Sequence, residues 1–201
     1  MTVLYFCKTD PKVVGGVAEV ARNWIARFGT DNPYHVRPTL QEAEVIAVIR
    51  GDSVGSPKFD LVHLWAGQFP LATLYARCLG YPVVLDRSST HAYWQREVLL
   101  EEARRLQASR ICDASPFVPK IEHVFSEMAE YDHSNVVVPC AFAGGTFDEA
   151  DRILHRFPES LDVVPTGIDA TRFPFTERPE QFRVLFSGHN WFRKGFVNLF
   201  M

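Results

Sequence analysis

Three short runs concentrate the residue types that do chemistry. Leu85-Asp86-Arg87-Ser88-Ser89-Thr90-His91 packs an acid, a base, three hydroxyls and an imidazole together. Such a set can hydrogen-bond a polyhydroxyl ligand or hold an anion, although surface loops also collect these residues by chance. Gly188-His189-Asn190-Trp191-Phe192-Arg193-Lys194-Gly195 sets adjacent cations ahead of a helical pattern. Arg193 and Lys194 there could hold a diphosphate, or could form a solvated basic turn. Val14-Gly15-Gly16-Val17 opens another helical pattern. Its glycines would let backbone N–H groups approach a phosphate at the positive end of a helix. The plainer reading is a turn that needs positive φ. No G-x-G-x-x-G or G-x-x-x-x-G-K-[ST] occurs, which weakens dinucleotide and P-loop readings.

Other candidates read as structure. His63 lies inside an apolar run and is expected to be a satisfied core histidine. The run Arg96 to Arg105 mixes its signs, with Glu101 and Arg105 at i,i+4, so it reads as a solvated helix face rather than a lipid-binding one. No Asp-x-Asp triplet supports a two-carboxylate metal site. Cys7, Cys78, Cys112 and Cys140 are scattered, without a C-x-x-C pair or a histidine at zinc-ligand spacing. A reduced, cytoplasmic protein without a metal is the resulting expectation.

The elements that must position these runs alternate. Strand patterns cover Thr2–Cys7, Tyr34–Val36, Asp60–Trp65, Pro82–Leu85, Asn135–Val138 and Leu161–Val164. Helical spacing covers Val17–Phe28, Phe69–Leu79, Tyr93–Gln107, Pro116–Tyr131 and Phe147–Phe157, while Leu40–Arg50 fits either state. Strands alternating with helices predict a doubly wound, Rossmann-like α/β domain around a parallel sheet, over residues 1–175. The chemical runs then fall after strands, where open α/β sheets bind ligands. A Pro-rich polar stretch leads into a linker at 176–181, and a new strand at 182–187 opens what reads as an incomplete second domain, 182–201. Val184–Phe186 and the aromatics Trp191, Phe192, Phe196 and Phe200 are expected to form an exposed edge and apolar patch.

Composition bounds the class. Of 201 residues 47% are hydrophobic and 22% charged, with a net charge of −3. That balance excludes disordered, collagen-like and coiled-coil chains and shows no electrostatic footprint for nucleic acid. No apolar run is long enough to span a bilayer, and the N-terminus lacks the basic region of a signal peptide.

Taken in order, the motifs resemble those of the family 4 retaining glycosyltransferases of GT-B architecture, in which two Rossmann-like domains face a cleft. The carriers are Gly15-Gly16-Val17, Asp60-Leu61-Val62-His63, Arg87-Ser88-Ser89-Thr90-His91 with Gln95 and Leu99 to Glu102, and Glu127-Met128-Ala129-Glu130-Tyr131. They continue with Val138-Pro139-Cys140, Val163 to Asp169 with Arg172-Phe173, and Val184 to Gly188 with Arg193-Lys194-Gly195. Cys140 stands where the family pattern has Ser, and His189 where many relatives have a donor-contacting Arg. The resemblance implies retaining hexosyl transfer from a nucleotide-sugar to the hydroxyl of a carbohydrate or lipid-linked acceptor, with no metal and no cofactor. It implies His91 as the catalytic-site histidine, and Gly15, Gly16, Arg87 and Ser88 on the substrate side. Gly188, Arg193 and Lys194 would hold the donor diphosphate. A cytoplasmic location follows, with peripheral attachment at the inner membrane face left open.

The family's second domain supplies most donor contacts, including an E-x7-E segment that is expected in the part of that domain beyond residue 201. The 201 residues alone are therefore expected to transfer little sugar, and a second polypeptide could complete the cleft. The rival readings are a non-catalytic truncated product or pseudo-enzyme acting as a binding or pairing module, and a nucleotide-sugar epimerase of the same two-domain design.

Overall fold

The computed structural model describes residues 2–7, 34–38, 41–52, 58–87, 89–139, 144–154, 160–164, 171 and 190–199. Short apolar runs bounded by turn residues become six parallel strands. These are β1 (Val3–Cys7), β2 (Tyr34–Pro38), β3 (Leu61–Trp65), β4 (Val83–Arg87), β5 (Val136–Pro139) and β6 (Ser160–Leu161). Their order in the sheet is β2-β1-β3-β4-β5-β6. All carboxyl ends share one edge, and the order reverses between β1 and β3, the crevice where such sheets bind ligands. Residues 8–33 leave β1 at that point; Gly15, Gly16 and the helix expected at Val17–Phe28 lie outside the described residues.

Five α-helices join the later strands: α1 (Glu42–Arg50), α2 (Pro70–Cys78), α3 (Ala92–Ala108), α4 (Ile121–Asp132) and α5 (Gly144–Leu154). The ambiguous stretch from Leu40 is thus a helix. Glu42 and Glu44 complement its positive end, Val45, Val48 and Ile49 form its buried stripe, and Gly51 at φ +81° ends it. The long helix expected from Pro116 to Tyr131 is instead split. Ser115–Phe117 forms a 3-10 turn, Val118 is extended, and α4 starts only at Ile121. Pro119 is the cause, since it disfavours helical backbone at the residue before it. β6 is shorter than expected, although Asp162 and Val164 still donate to the carbonyls of Val137 and Pro139.

Alternation along the strands sorts side chains to two faces. Leu4, Phe6, Val62, Leu64, Val83, Leu85 and Val137 pack with α1, α2 and α4 into the main core. On the opposite face Val3, Tyr5, His63 and Trp65 are also buried. The described helices lie on crossovers that step one way across the sheet, and right-handed connection puts these on one face. The reverse step, from β1 to β2, is made by residues 8–33. Among the described residues no helix is long and apolar enough to cross a membrane.

A second, smaller core corrects one expectation. Leu99, Ala103 and Leu106 of α3, with Ala114, seat Phe192, which is only 4% exposed. Trp191 and Val197 pack against the same cluster, and Trp191 meets Phe117 at a ring-centroid distance of 5.0 Å. The aromatics expected to form an exposed patch are therefore covered at Trp191 and Phe192, because the outer face of α3 carries an apolar stripe of its own. Val184–Phe186 and Phe200 lie outside the described residues, as do 172–189 with the linker. The helix expected from Gly195 is a 3-10 helix, Phe196–Leu199, tied to α3 by Arg105 donating to Asn198 Oδ1 at 2.7 Å.

Candidate functional site

β4 runs two residues further than its apolar core suggests, so Asp86 and Arg87 belong to the strand rather than to the loop after it. Register puts Arg87 on the Val83–Leu85 face, toward α4, and Asp86 on the His63–Trp65 face. Arg87 Nε pairs with Glu127 Oε1 at 2.7 Å, both side chains being largely buried. Burial opposes the charge on Arg87, but Tyr131, Glu127 and Glu130 outweigh it and hold the guanidinium more firmly protonated than usual. The Tyr131 hydroxyl donates to the same Glu127 oxygen, and burial first, then Glu127, pushes its pKa well up.

Glu130, one turn on, binds the β3–α2 loop. Gly67 N–H donates to its Oε2 and Phe69 N–H to its Oε1, the latter at 2.9 Å. Its carboxyl is pushed up to about 8, chiefly by burial, against the lowering effect of those two donors. Gly67 has φ +78°, and a Cβ there would sit 2.8 Å from Glu127 Oε2. Left-handed backbone costs an L-residue about 1–2 kcal/mol. Gly67→Ala is expected to lose more than that in urea denaturation, because Glu127 cannot retreat without straining its Arg87 pair. In a Glu127→Ala background the loss should fall back to the backbone cost; an equal loss in both backgrounds would show that the contact is inconsequential.

Beyond β4 the chain turns into α3 through Ser89, Thr90 and His91. Gln95 Oε1 lies 3.5 Å from Arg87 Nη2 and accepts from Ser89 Oγ at 3.3 Å. Arg193 Nη1 reaches the same Ser89 Oγ at 3.5 Å across 104 residues of sequence. The two runs therefore meet and enclose a cleft of about 230 Å³. Ser89, Thr90 and Gln95 are its polar wall, Trp94, Val98 and Leu99 its apolar wall, and Arg193 and Lys194 its cationic rim. Among the described residues no carboxylate lines it and none forms an ion pair with either cation. Such a cleft attracts an anion with little competition from the protein's own acids.

His91 takes a different place. It is 2% exposed, does not line the cleft, and caps α3, its Nδ1 accepting from Tyr93 N–H at 3.2 Å. Its own N–H donates to Thr146 Oγ1 at 3.0 Å, and its ring packs 5.1 Å from Tyr131 and 5.0 Å from Phe147. The cap requires an unprotonated Nδ1, and burial, reinforced by Arg87, lowers the pKa to about 4. His63 is buried in the core as expected, edge-on to Tyr5 at 4.7 Å and with its pKa lowered to about 4 by burial. It is not fully satisfied, since its Nε2 makes no hydrogen bond among the described residues. Asp86 is raised to about 6 by burial.

Of the expected site residues the structure thus gathers Arg193 and Lys194 at the cleft, keeps Arg87 one contact behind it through Gln95, and sets His91 in the packing beneath. Ser88, Gly188, Gly15 and Gly16 lie outside the described residues. Trp94, and the bridging role of Gln95, were not singled out from sequence. The spacing of Trp94, Gln95, Val98 and Leu99 on one helix side was the available signal. Among the described residues no cluster of three or more His, Cys, Asp or Glu is placed to hold a metal ion.

Fold and site together define an α/β protein with a Rossmann-like parallel sheet and a cleft rimmed by two cations beyond the carboxyl end of β4. No protein-family model, curated protein or solved structure matches the chain.

Proposed function

We propose that this chain carries the acceptor-side domain of a retaining glycosyltransferase of GT-B architecture, moving a hexosyl unit from a nucleotide-sugar to an acceptor hydroxyl. One observation supports it above all: Arg193 and Lys194 converge on Ser89 and Gln95 at the carboxyl end of a parallel strand. In the proposed reaction the anomeric C–O bond to the diphosphate breaks and the acceptor oxygen bonds to the same face of the anomeric carbon. The acceptor proton leaves with the departing phosphate oxygen. Arg193 and Lys194 would stabilise the negative charge gathering on that leaving group, an interaction that strengthens as the bond breaks. Among the described residues no carboxylate lines the cleft to act as a nucleophile, which accords with direct same-face transfer. Arg87 would keep Gln95, and through it Ser89, oriented toward the substrates.

The test is calorimetric titration of the chain with UDP, GDP and ADP. At least one is expected to bind, and Arg193→Ala/Lys194→Ala to weaken it about tenfold or more, the loss of roughly one charged hydrogen bond or better. Failure of all three to bind, or binding untouched by the double substitution, would refute the reading.

A further inference from the structure

The cleft is more than a cationic patch, and its walls narrow what fits. Trp94 is half-buried, so its ring is held in the wall with one part open to the cleft, beside Val98 and Leu99. The same cleft is lined by hydrogen-bonding groups that both donate and accept: the hydroxyls of Ser89 and Thr90 and the amide of Gln95. At the rim stand two exposed cations on consecutive residues. The acids next along α3 are already engaged, Glu97 with Arg96 at 2.7 Å and Glu101 with Arg104 at 3.7 Å. A ligand suited to all three walls has a flat apolar face, hydroxyls around its edge and an anionic substituent. Sites for drug-sized ligands span about 300–1,000 Å³. At about 230 Å³ the cleft among the described residues has room for one ring and one phosphate.

We propose that the cleft binds a phosphorylated hexose, with the C–H face of the pyranose against Trp94, its hydroxyls on Ser89, Thr90 and Gln95, and its phosphate between Arg193 and Lys194. This rests on the transferase reading and sharpens it. The ligand is either a sugar-phosphate acceptor or the glycosyl-phosphate end of the donor, and Trp94 is the residue that recognises the sugar. An aromatic face suits the apolar side of a pyranose, while the flanking hydroxyls and amide fix its orientation.

The experiment is titration of the full chain with glucose 6-phosphate, glucose 1-phosphate, inorganic phosphate and glucose, followed by calorimetry and tryptophan fluorescence. A sugar phosphate is expected to bind at least tenfold more tightly than phosphate or glucose. Trp94→Ala should lower sugar-phosphate affinity to that of phosphate and abolish the fluorescence response, while Trp94→Phe restores most of the affinity. Arg193→Ala/Lys194→Ala should remove binding of both. UDP-glucose separates the sources: competition with the sugar phosphate marks the donor end, whereas simultaneous binding marks an acceptor and removes Arg193 and Lys194 from the leaving group. Equal affinity for phosphate and sugar phosphate, a folded Trp94→Ala chain with unchanged affinity, tighter binding of glucose, or no binding at all would each overturn the proposal. Sugar-phosphate binding without any nucleoside diphosphate binding would leave this inference standing and defeat the transferase reading.

Discussion

Glu127→Ala is expected to destabilise the protein by about 3–5 kcal/mol, the cost of stranding one member of a buried ion pair. Glu127 and Arg87 side chains are only 13% and 14% exposed, so water would replace the lost partner poorly. The same substitution also removes the acceptor for the Tyr131 hydroxyl, which is itself buried. Arg87→Ala should cost a similar amount, and the double variant clearly less than the sum, since no charge is then left alone. Glu127→Gln keeps an acceptor for Tyr131 and should fall between wild type and Glu127→Ala. The pair stitches the end of β4 to α4, and Gln95 links Arg87 to Ser89. Loss of the pair should therefore weaken anion binding at the cleft even under conditions where the chain stays folded. Urea denaturation giving under about 1 kcal/mol for Glu127→Ala would mean that the pair is solvated and does not organise the site.

The second large effect is on the pH dependence of stability, where buried groups of opposite kind compete. His63 and His91 titrate near 4 when folded and near 6.5 when unfolded, so the unfolded chain takes up protons first as pH falls. Each histidine alone would lose about 1.4 kcal/mol per pH unit on acidification between those values. Glu130, near 8 folded and near 4.5 unfolded, and Asp86, near 6 and 3.8, act in the other sense and lose stability as pH rises through their windows. Between about 4.5 and 6 the two histidines and two carboxyls offset each other. Above 6.5 Glu130 is, among the described residues, the group whose shift still acts, and stability should fall by about 2 kcal/mol by pH 8. Glu130→Gln should flatten the curve above 6.5. His63→Phe should make stability rise on acidification from pH 6 to pH 5, where wild type is level. Urea midpoints at pH 5, 6, 6.5 and 8 decide this; a Glu130→Gln chain that still loses the full amount above 6.5 would contradict the assignment.

Much of this was legible in the residues because strand and helix periods are local. Val83-Val84-Leu85 announces a strand buried on both faces, and Gly80 a helix end, without reference to the rest of the chain. Pro119 was equally visible but was overridden by an apolar pattern that continued across it. What periodicity does not carry is pairing over distance. Nothing near Phe192 shows that Leu99, Ala103 and Leu106 will cover it, and so its run read as an exposed patch. The cleft was half legible for the same reason. Each wall could be named from its residue types, but their meeting depends on a contact between Ser89 and Arg193. His91 shows the opposite limit, because a histidine in a polar loop reads as chemistry until the helix it caps is placed.

The account stands on Arg193, Lys194, Ser89 and Gln95 forming one anion-binding cleft. The most direct test is to follow backbone and side-chain resonances of the 15N-labelled chain during titration with UDP and GDP. The account predicts saturable shifts centred on the cleft residues where the diphosphate sits, with Arg193, Lys194, Ser89 and the Gln95 amide moving together, and their loss in Arg193→Ala/Lys194→Ala. Shifts clustered elsewhere on the sheet edge, or none at saturating nucleotide, would contradict it.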